Sequence, residues 1–349
     1  MKILYPSYTR LEYSLNSVCI KGLRENGVEV VEFRVVDRGF SGFVKVLSFC
    51  RKNLKYADAI IVGYDSPALV SFLNLFYNKK IIYNAVLSVH ERLIIARELA
   101  PRFSLKAVYY WLLDFTAVHS ADLIMLESDH QADYFNKIFK VSKKKLYRNW
   151  IGVDESKFYY DPTIKKPEVF TVLFRGALMP EAGIEYVIRA AKILEGQNVK
   201  FILMAGGLLL EKTKELIRDI GLANLEHLFE HMPYDKLREK MQACHLSLGQ
   251  LSDHVRLDRT LPHKVYESLA MKLPYLTASN SGILELLTAD KTCLTCSPAD
   301  AESLADKILW AKNNYQFVEQ IAENGYQLYK ENLRSSTLSK NLLDKIQML

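Results

Sequence analysis

Pro262, Lys264 and Glu267 have the types and spacing to work together on a ligand. Proline starts a helix well, and residues three apart share one helix face. Lys264 adds a point charge for a phosphate near a helix start, and Glu267 can accept hydrogen bonds from vicinal hydroxyls such as those of a ribose. The competing reading is a surface Lys–Glu pair worth a few tenths of a kcal/mol. Upstream, Arg175-Gly176 follows an apolar run and leads to a helix near Gly183, where backbone N–H groups can hold a phosphate. Gly206 and Gly207 follow FILMA, and Ser281-Gly282 follows YLTA. These turns let backbone approach a ligand closely. In the first half, His90 and Glu91 come just after the apolar run at 81–83, and His90 suits proton transfer near neutrality. On position alone a structural or capping role for His90 is favoured over catalysis. The first strand runs into Pro6, Ser7, Tyr8, Thr9 and Arg10, which offer hydroxyls and a guanidinium. That loop lacks the glycines of a dinucleotide-binding turn, which argues against a dinucleotide enzyme.

The elements that must position these residues alternate between short apolar strands and helices. Strands are expected at 2–5, 28–35, 59–62, 80–83 and 123–126, with helices near 13–26, 67–77 and 100–118. A break is expected at 160–168, where YYDPTIKKPE holds two prolines and no clean period. The pattern then restarts, with strands at 169–174, 199–204, 245–248 and 275–278 and helices at 183–194, 212–219 and 262–271. Residues 302–349 read as helical with no strand. This predicts two α/β units, each with a parallel sheet covered on both faces, whose ligands lie outside the carboxyl ends of the strands. A cleft between two such units is the expected site.

The 349 residues carry a formal net charge of +6. Residues 1–160 hold 23 Lys+Arg against 16 Asp+Glu, and residues 161–349 hold 23 against 24, so the excess lies in the first half. Lys52, Lys55, Arg92, Arg97, Arg102 and Lys106 flank apolar stretches such as KAVYYWLLDF, which suits an anionic membrane surface or else a solvated basic face. Five scattered cysteines do not make a disulfide scaffold, and Cys293/Cys296 lacks a second pair for a zinc site. MKILYPSYTR does not read as a signal peptide, and no apolar run is long enough to span a membrane. No nucleic-acid reader motif is present.

Taken in order, the motifs resemble the "glycosyl transferases group 1" family (family 4), retaining glycosyltransferases of GT-B fold. RNWIGVD with Phe158, FRGALMPEAGIEYVIRAAKIL, FILMAGG, PHKVYESLAMKLPYLTASNSGILEL and ENGYQLYKENLRSSTLSKNLLDKI are each similar to a family segment. The resemblance covers essentially the whole chain and is strongest from about 148 onward. It implies two doubly wound Rossmann-like domains facing across a cleft: an acceptor-side domain at 1–160, a donor-binding domain at 165–325, and a C-terminal helical segment at 326–349 packing back on the first.

The resemblance implies transfer of a hexosyl group from a nucleotide diphosphate sugar, UDP or GDP, to a saccharide or lipid-linked acceptor, as in surface polysaccharide or glycan synthesis. No metal or other cofactor is implied. Glu267 matches the second glutamate of the family's glutamate–seven residues–glutamate signature. The first would stand at 259, which is Arg259; Asp258 and Asp253 are near it. The family's diphosphate-binding arginine and lysine fall at Ala177 and Ala182, so both charges are missing, and Arg175, Arg256, Arg259 and Lys264 are the candidates to replace them. Gly206, Gly207, Ser281, Gly282 and Ile283 complete the expected donor set. His90, Asp258 and Lys264 form the expected catalytic set, and Ser7, Tyr8, Arg10 and Glu91 are expected on the acceptor side. The expected setting is cytoplasmic, as a monomer or weak oligomer, at or near the inner face of the cell membrane. A GT-B nucleotide-sugar epimerase and an inactive glycan- or nucleotide-binding homologue are the alternatives.

Overall fold

The protein is described by a computed structural model covering residues 1–37, 39–229 and 232–349. Two units result: residues 1–154 with 333–349, and residues 155–332. In the first, β1 (Lys2–Ser7), α1 (Ser14–Glu25), β2 (Glu29–Arg34), α2 (Phe40–Asn53), β3 (Ala59–Val62), α3 (Pro67–Phe76), β4 (Lys80–Val86), α4 (Leu105–Ser120), β5 (Leu123–Leu126), α5 (Asp129–Phe139) and β6 (Leu146–Arg148) follow in order. The strands form a parallel sheet of order β2-β1-β3-β4-β5-β6.

β3 (AIIV) and β5 (LIML) are buried at every position, because helices cover both faces of a parallel sheet. The two-residue period sorts their side chains. Leu4, Ile60, Val62, Ile124 and Leu126 face the core under α2–α5. Ile3, Tyr5, Ile61, Leu123 and Met125 face the opposite core, with Cys19, Ile20 and Leu23 of α1.

That second core is completed from the far end of the chain. The helix Ser335–Gln347 supplies Leu342, Leu343 and Ile346 to it. Gly22 of α1 permits the close approach: a Cβ there would lie 2.0 Å from the Ser335 carbonyl oxygen and 2.3 Å from Ser339 Oγ. Asn26 Nδ2 also donates to the Ser336 carbonyl at 2.8 Å.

In the second unit the order is β7 (Phe170–Ala177), α6 (Ile184–Ile193), β8 (Val199–Gly206), α7 (Leu210–Ile220), β9 (Leu225–Leu228), α8 (Tyr234–Gln242), β10 (Leu246–Leu248), α9 (His263–Ala270), β11 (Tyr275–Ala278), α10 (Ser281–Leu284), β12 (Leu294–Cys296), α11 (Ala301–Asn313) and α12 (Tyr315–Asn332). Its sheet is again parallel, in the order β12-β11-β10-β7-β8-β9. With α12 placed, the helix Ser335–Gln347 is α13.

Two expected boundaries move. The stretch at 160–168 is part of the second unit rather than a break. The Asp161 N–H donates to Gln242 Oε1 at 2.8 Å, Gln242 Nε2 donates to the Tyr159 carbonyl at 2.9 Å, and Lys166 Nζ donates to the Cys244 carbonyl. Residues 326–332 also stay with the second unit, as the continuation of α12, which packs on α9: a Cβ on Gly325 would lie 2.7 Å from Leu269 Cδ2. Only residues from 333 onward return to the first. No described helix is long and apolar enough to cross a membrane.

Gly22→Ala should force α1 and α13 apart and destabilise the first unit by roughly 1–3 kcal/mol, the usual cost of overpacking. Urea unfolding followed by circular dichroism checks this, as a loss confined to the transition of that unit.

Candidate functional site

In the second sheet β7 lies between β8 and β10, so the chain leaves β7 toward one edge and later returns to its other side. Such a switch point opens a crevice at the carboxyl ends of the strands. Arg175, Gly176 and Gly249 stand at those ends, and α9 brings Lys264 and Glu267 against them.

Lys264 is buried, with Nζ 4.0 Å from the centre of the Phe174 ring and donating to the Gly249 carbonyl at 3.2 Å. Gly176, at φ +145°, makes room for it: a Cβ there would lie 3.2 Å from Lys264 Cε. The Arg175 guanidinium pairs with the buried Glu267 carboxylate and lies over the Phe158 ring. Burial, and then the Arg175 charge, bring the Lys264 ammonium down to about 7, against the pull of Glu267. Burial raises the Glu267 carboxyl despite Arg175 and Lys264. His263 is held near 4 by burial and by Arg175, so its imidazole is neutral at physiological pH. Two cationic groups and one carboxylate thus meet in a poorly hydrated edge, an arrangement that can take an anion and a hydroxyl-bearing group together.

The neighbouring turns are built by close backbone approach. Gly207, at φ +141°, packs on Leu178, where a Cβ would come within 2.9 Å of the Leu178 nitrogen; Gly206 beside it is open. Gly282 packs on the turn Val255–Asp258, where a Cβ would lie 2.4 Å from the Leu257 carbonyl oxygen. Ser281 Oγ donates to Asp258 Oδ1 at 3.1 Å. Asp258, expected as catalytic, is therefore an exposed carboxylate that ties Ser281 to this turn. Arg259 closes the turn as its C-cap. The Ile283 side chain is core, so only its backbone could serve a ligand.

Arg256, expected as a replacement phosphate cation, is committed elsewhere: its Nη1 lies 2.7 Å from Oε1 of the buried Glu181. Ala182 is fully buried in the core of the unit, so the position matching the family lysine is a packing position. Ala177 is exposed at the end of β7. Sequence reasoning missed Phe174, Gly249 and His263; only the adjacency of His263 to Lys264 signalled any of them.

The candidates in the first unit separate into accessible and buried groups. His90 is partly exposed and precedes the π-helical turn Glu91–Ala96, with burial lowering its pKa. Its Nδ1 is buried with no hydrogen-bond partner among the described residues. The backbone N–H groups of Val89 and His90 donate to the carboxylate of buried Asp114 on α4, at 3.1 and 2.8 Å, and fix this turn. Glu91, expected on the acceptor side, is fully buried and accepts from Gln131 Nε2 at 2.6 Å. Ser7 is also fully buried, accepting the Thr9 N–H at 3.1 Å, so both are structural rather than ligand-facing. Tyr8 is half-buried and Arg10 exposed. Arg92 is not part of a solvated basic face: it pairs with Asp65 at 2.5 Å, and both side chains are mostly covered.

Residues 158–328 match the family model of the Glycosyl transferases group 1. That match lies within the second unit, and the two parallel α/β units together have the GT-B architecture of the solved structures below. The fold is similar to that of sucrose-phosphate synthase from Thermosynechococcus elongatus, at 13% identity and a TM-score of 0.78 over 100% of this chain and 99% of that one. It is also similar to Anabaena HepE, solved in complex with UDP-glucose, at 17% identity and a TM-score of 0.75 over 100% of both chains. A glycosyltransferase from Rickettsia africae has 14% identity and a TM-score of 0.71 over 99% of this chain and 98% of that one. No curated protein has significant sequence similarity to the chain.

The depressed Lys264 has a direct stability consequence. The unfolded lysine keeps its proton up to about pH 10.4, while the folded one releases it near 7. The stabilisation is thus present above the unfolded value and lost as pH falls toward 7. Measured by urea unfolding, the wild type should gain stability relative to Lys264→Met as pH rises from 7 to 10. A constant difference would show that Lys264 is not desolvated.

Proposed function

We propose that the protein is a retaining hexosyltransferase that takes its sugar from a nucleotide diphosphate, UDP or GDP, and passes it to a saccharide or lipid-linked acceptor hydroxyl in glycan synthesis. The observation that carries this reading is the cluster of Lys264, Arg175 and Glu267 at the carboxyl edge of β7 and β10, inside the segment matching the group 1 family. HepE, solved with UDP-glucose, supports UDP as the first nucleotide to test.

On this reading the second unit holds the donor. Glu267 accepts from the ribose hydroxyls, and Lys264 with Arg175 faces the diphosphate. Arg175 must exchange part of its pairing with Glu267 for the ligand. The turns at Gly206–Gly207 and Ser281–Ile283 supply backbone N–H groups. These fixed donors and cations stabilise the charge that develops on the leaving diphosphate without a metal. The phosphate released on the same face of the sugar takes the acceptor proton, so configuration is retained. His90 orients the transferred sugar rather than serving as an obligate base, and its neutral imidazole suits hydrogen bonding to a hydroxyl. The first unit takes the acceptor.

Binding of UDP-, GDP-, ADP- and TDP-sugars by calorimetry tests the donor assignment. Glu267→Ala should weaken binding of the preferred nucleotide sugar by roughly 10- to 150-fold, the loss of hydrogen bonds to a charged group. Unchanged affinity would remove Glu267 from the ribose site. His90→Ala should lower turnover on the order of 10²-fold while leaving donor affinity nearly unchanged. Equal turnover would remove His90 from the reacting centre. A nucleotide-binding protein without transferase activity would bind donor and show no turnover in either form.

A further inference from the structure

The outer side of the first unit carries a feature the donor site does not use. Helix α4 is apolar on two faces. Its inner face buries Ala107, Ala117 and Val118 against the sheet. Its outer face sets Leu105, Val108, Tyr109 and Leu112 at the i, i+3, i+4, i+7 spacing of a single stripe, with exposures of 90, 49, 59 and 47%. Phe103, just before the helix, is 98% exposed. α3 packs beside α4 and ends in exposed Leu75 and Phe76. α2 lies next to α3 over the same core and begins with exposed Phe40. Three neighbouring helices on one side of one sheet thus present apolar side chains outward, more than scattered exposure explains.

The charges around this surface select its occupant. Arg102 and Lys106 are exposed at the start of α4, and Arg51, Lys52 and Lys55 at and just beyond the end of α2. Residues 39–56 contain no acidic side chain, and residues 97–112 contain only Glu98. A second copy of this face would be repelled by its own charge. An anionic lipid surface complements it, taking the apolar stripe at the acyl boundary and the cations among its headgroups. Long basic side chains can reach the headgroups while their stems lie along apolar surface. Tyr109 suits the interface itself, with a ring on the apolar side and a hydroxyl toward water.

We propose that the outward faces of α2, α3 and α4 form a docking surface for an anionic lipid bilayer, with the α4 stripe inserted at the level of the headgroups. This goes beyond the donor-site reading and does not depend on it, because lipid binding needs no nucleotide sugar and its test uses none.

Co-sedimentation of the full chain with vesicles tests it. At low salt the wild type should partition onto phosphatidylglycerol/phosphatidylcholine vesicles at least about tenfold more strongly than onto phosphatidylcholine alone. The double substitution Leu105→Ser/Tyr109→Ser should lower that partition at least about tenfold with an unchanged melting temperature, since both side chains are exposed. Arg102→Glu/Lys106→Glu should lower it similarly, and 0.5 M salt should weaken the wild type. The two pairs act through different forces, so a folding failure in one leaves the other to decide. Three results would overturn the proposal: no partition onto anionic vesicles, undiminished partition by a folded variant, or a wild-type dimer in light scattering that Leu105→Ser/Tyr109→Ser dissolves. The last would make the face a self-interface.

Discussion

Much of the second unit is organised around the enclosure of one amine. Lys264 cannot be hydrated where it lies, so a ring face, a carbonyl and a neighbouring carboxylate must replace water. Each of these depends on a different part of the chain. Phe174 comes with β7, Gly249 with the end of β10, and Glu267 with the next turn of α9. The sheet order β10-β7-β8 brings the first two together, and the helical period brings the third. The unit is slightly acidic, with 21 Lys+Arg against 24 Asp+Glu over residues 155–332. It concentrates a few cations at one edge, where low hydration makes each of them count for more than a surface lysine would.

The same edge explains the departures from the family pattern. The lysine expected at 182 has no solvent-facing place, because Ala182 is sealed in the core next to Glu181. Glu181 in turn engages Arg256, which removes that arginine from the pool of free cations. Arg175 and Lys264 lie at the carboxyl edge of β7 and β10. Lys264 is held there by the Gly249 carbonyl and the Phe174 ring, and Arg175 by Glu267. In the first unit an analogous economy operates at the end of β4. Buried Asp114 gathers two backbone N–H groups, and the partly exposed imidazole of His90 is positioned by its main chain.

Where the sequence was legible, a local period or a local breaker carried the message. The strands at 59–62, 123–126 and 275–278 are short apolar runs bounded by turns, and they form at those residues. Helices α2 and α5 were not legible. α2 reads FSGFVKVLSFCRKN, with β-branched residues, glycine and serines where helix formers would be expected, and its outward apolar side chains blur the period. The break at 160–168 misled for a related reason. Prolines announce a loop, but nothing local reports that Asp161 and Lys166 bond to residues near 242–244.

The sequence by itself determined the alternation of strand and helix and the two α/β units, and it singled out Lys264, Glu267, Arg175 and the glycine turns as candidates. Those features rest on residue type and on spacings of a few positions, which the backbone converts directly into faces and turns. Tertiary structure alone decided which of the candidates meet. It paired Arg175 with Glu267 across 92 positions, turned Glu91 and Ser7 inward, committed Arg256 to Glu181, and returned α13 to α1 across some 310 residues. Burial and pairing are properties of the packed chain. They depend on which distant side chains exclude water from a given atom, and no local pattern encodes that.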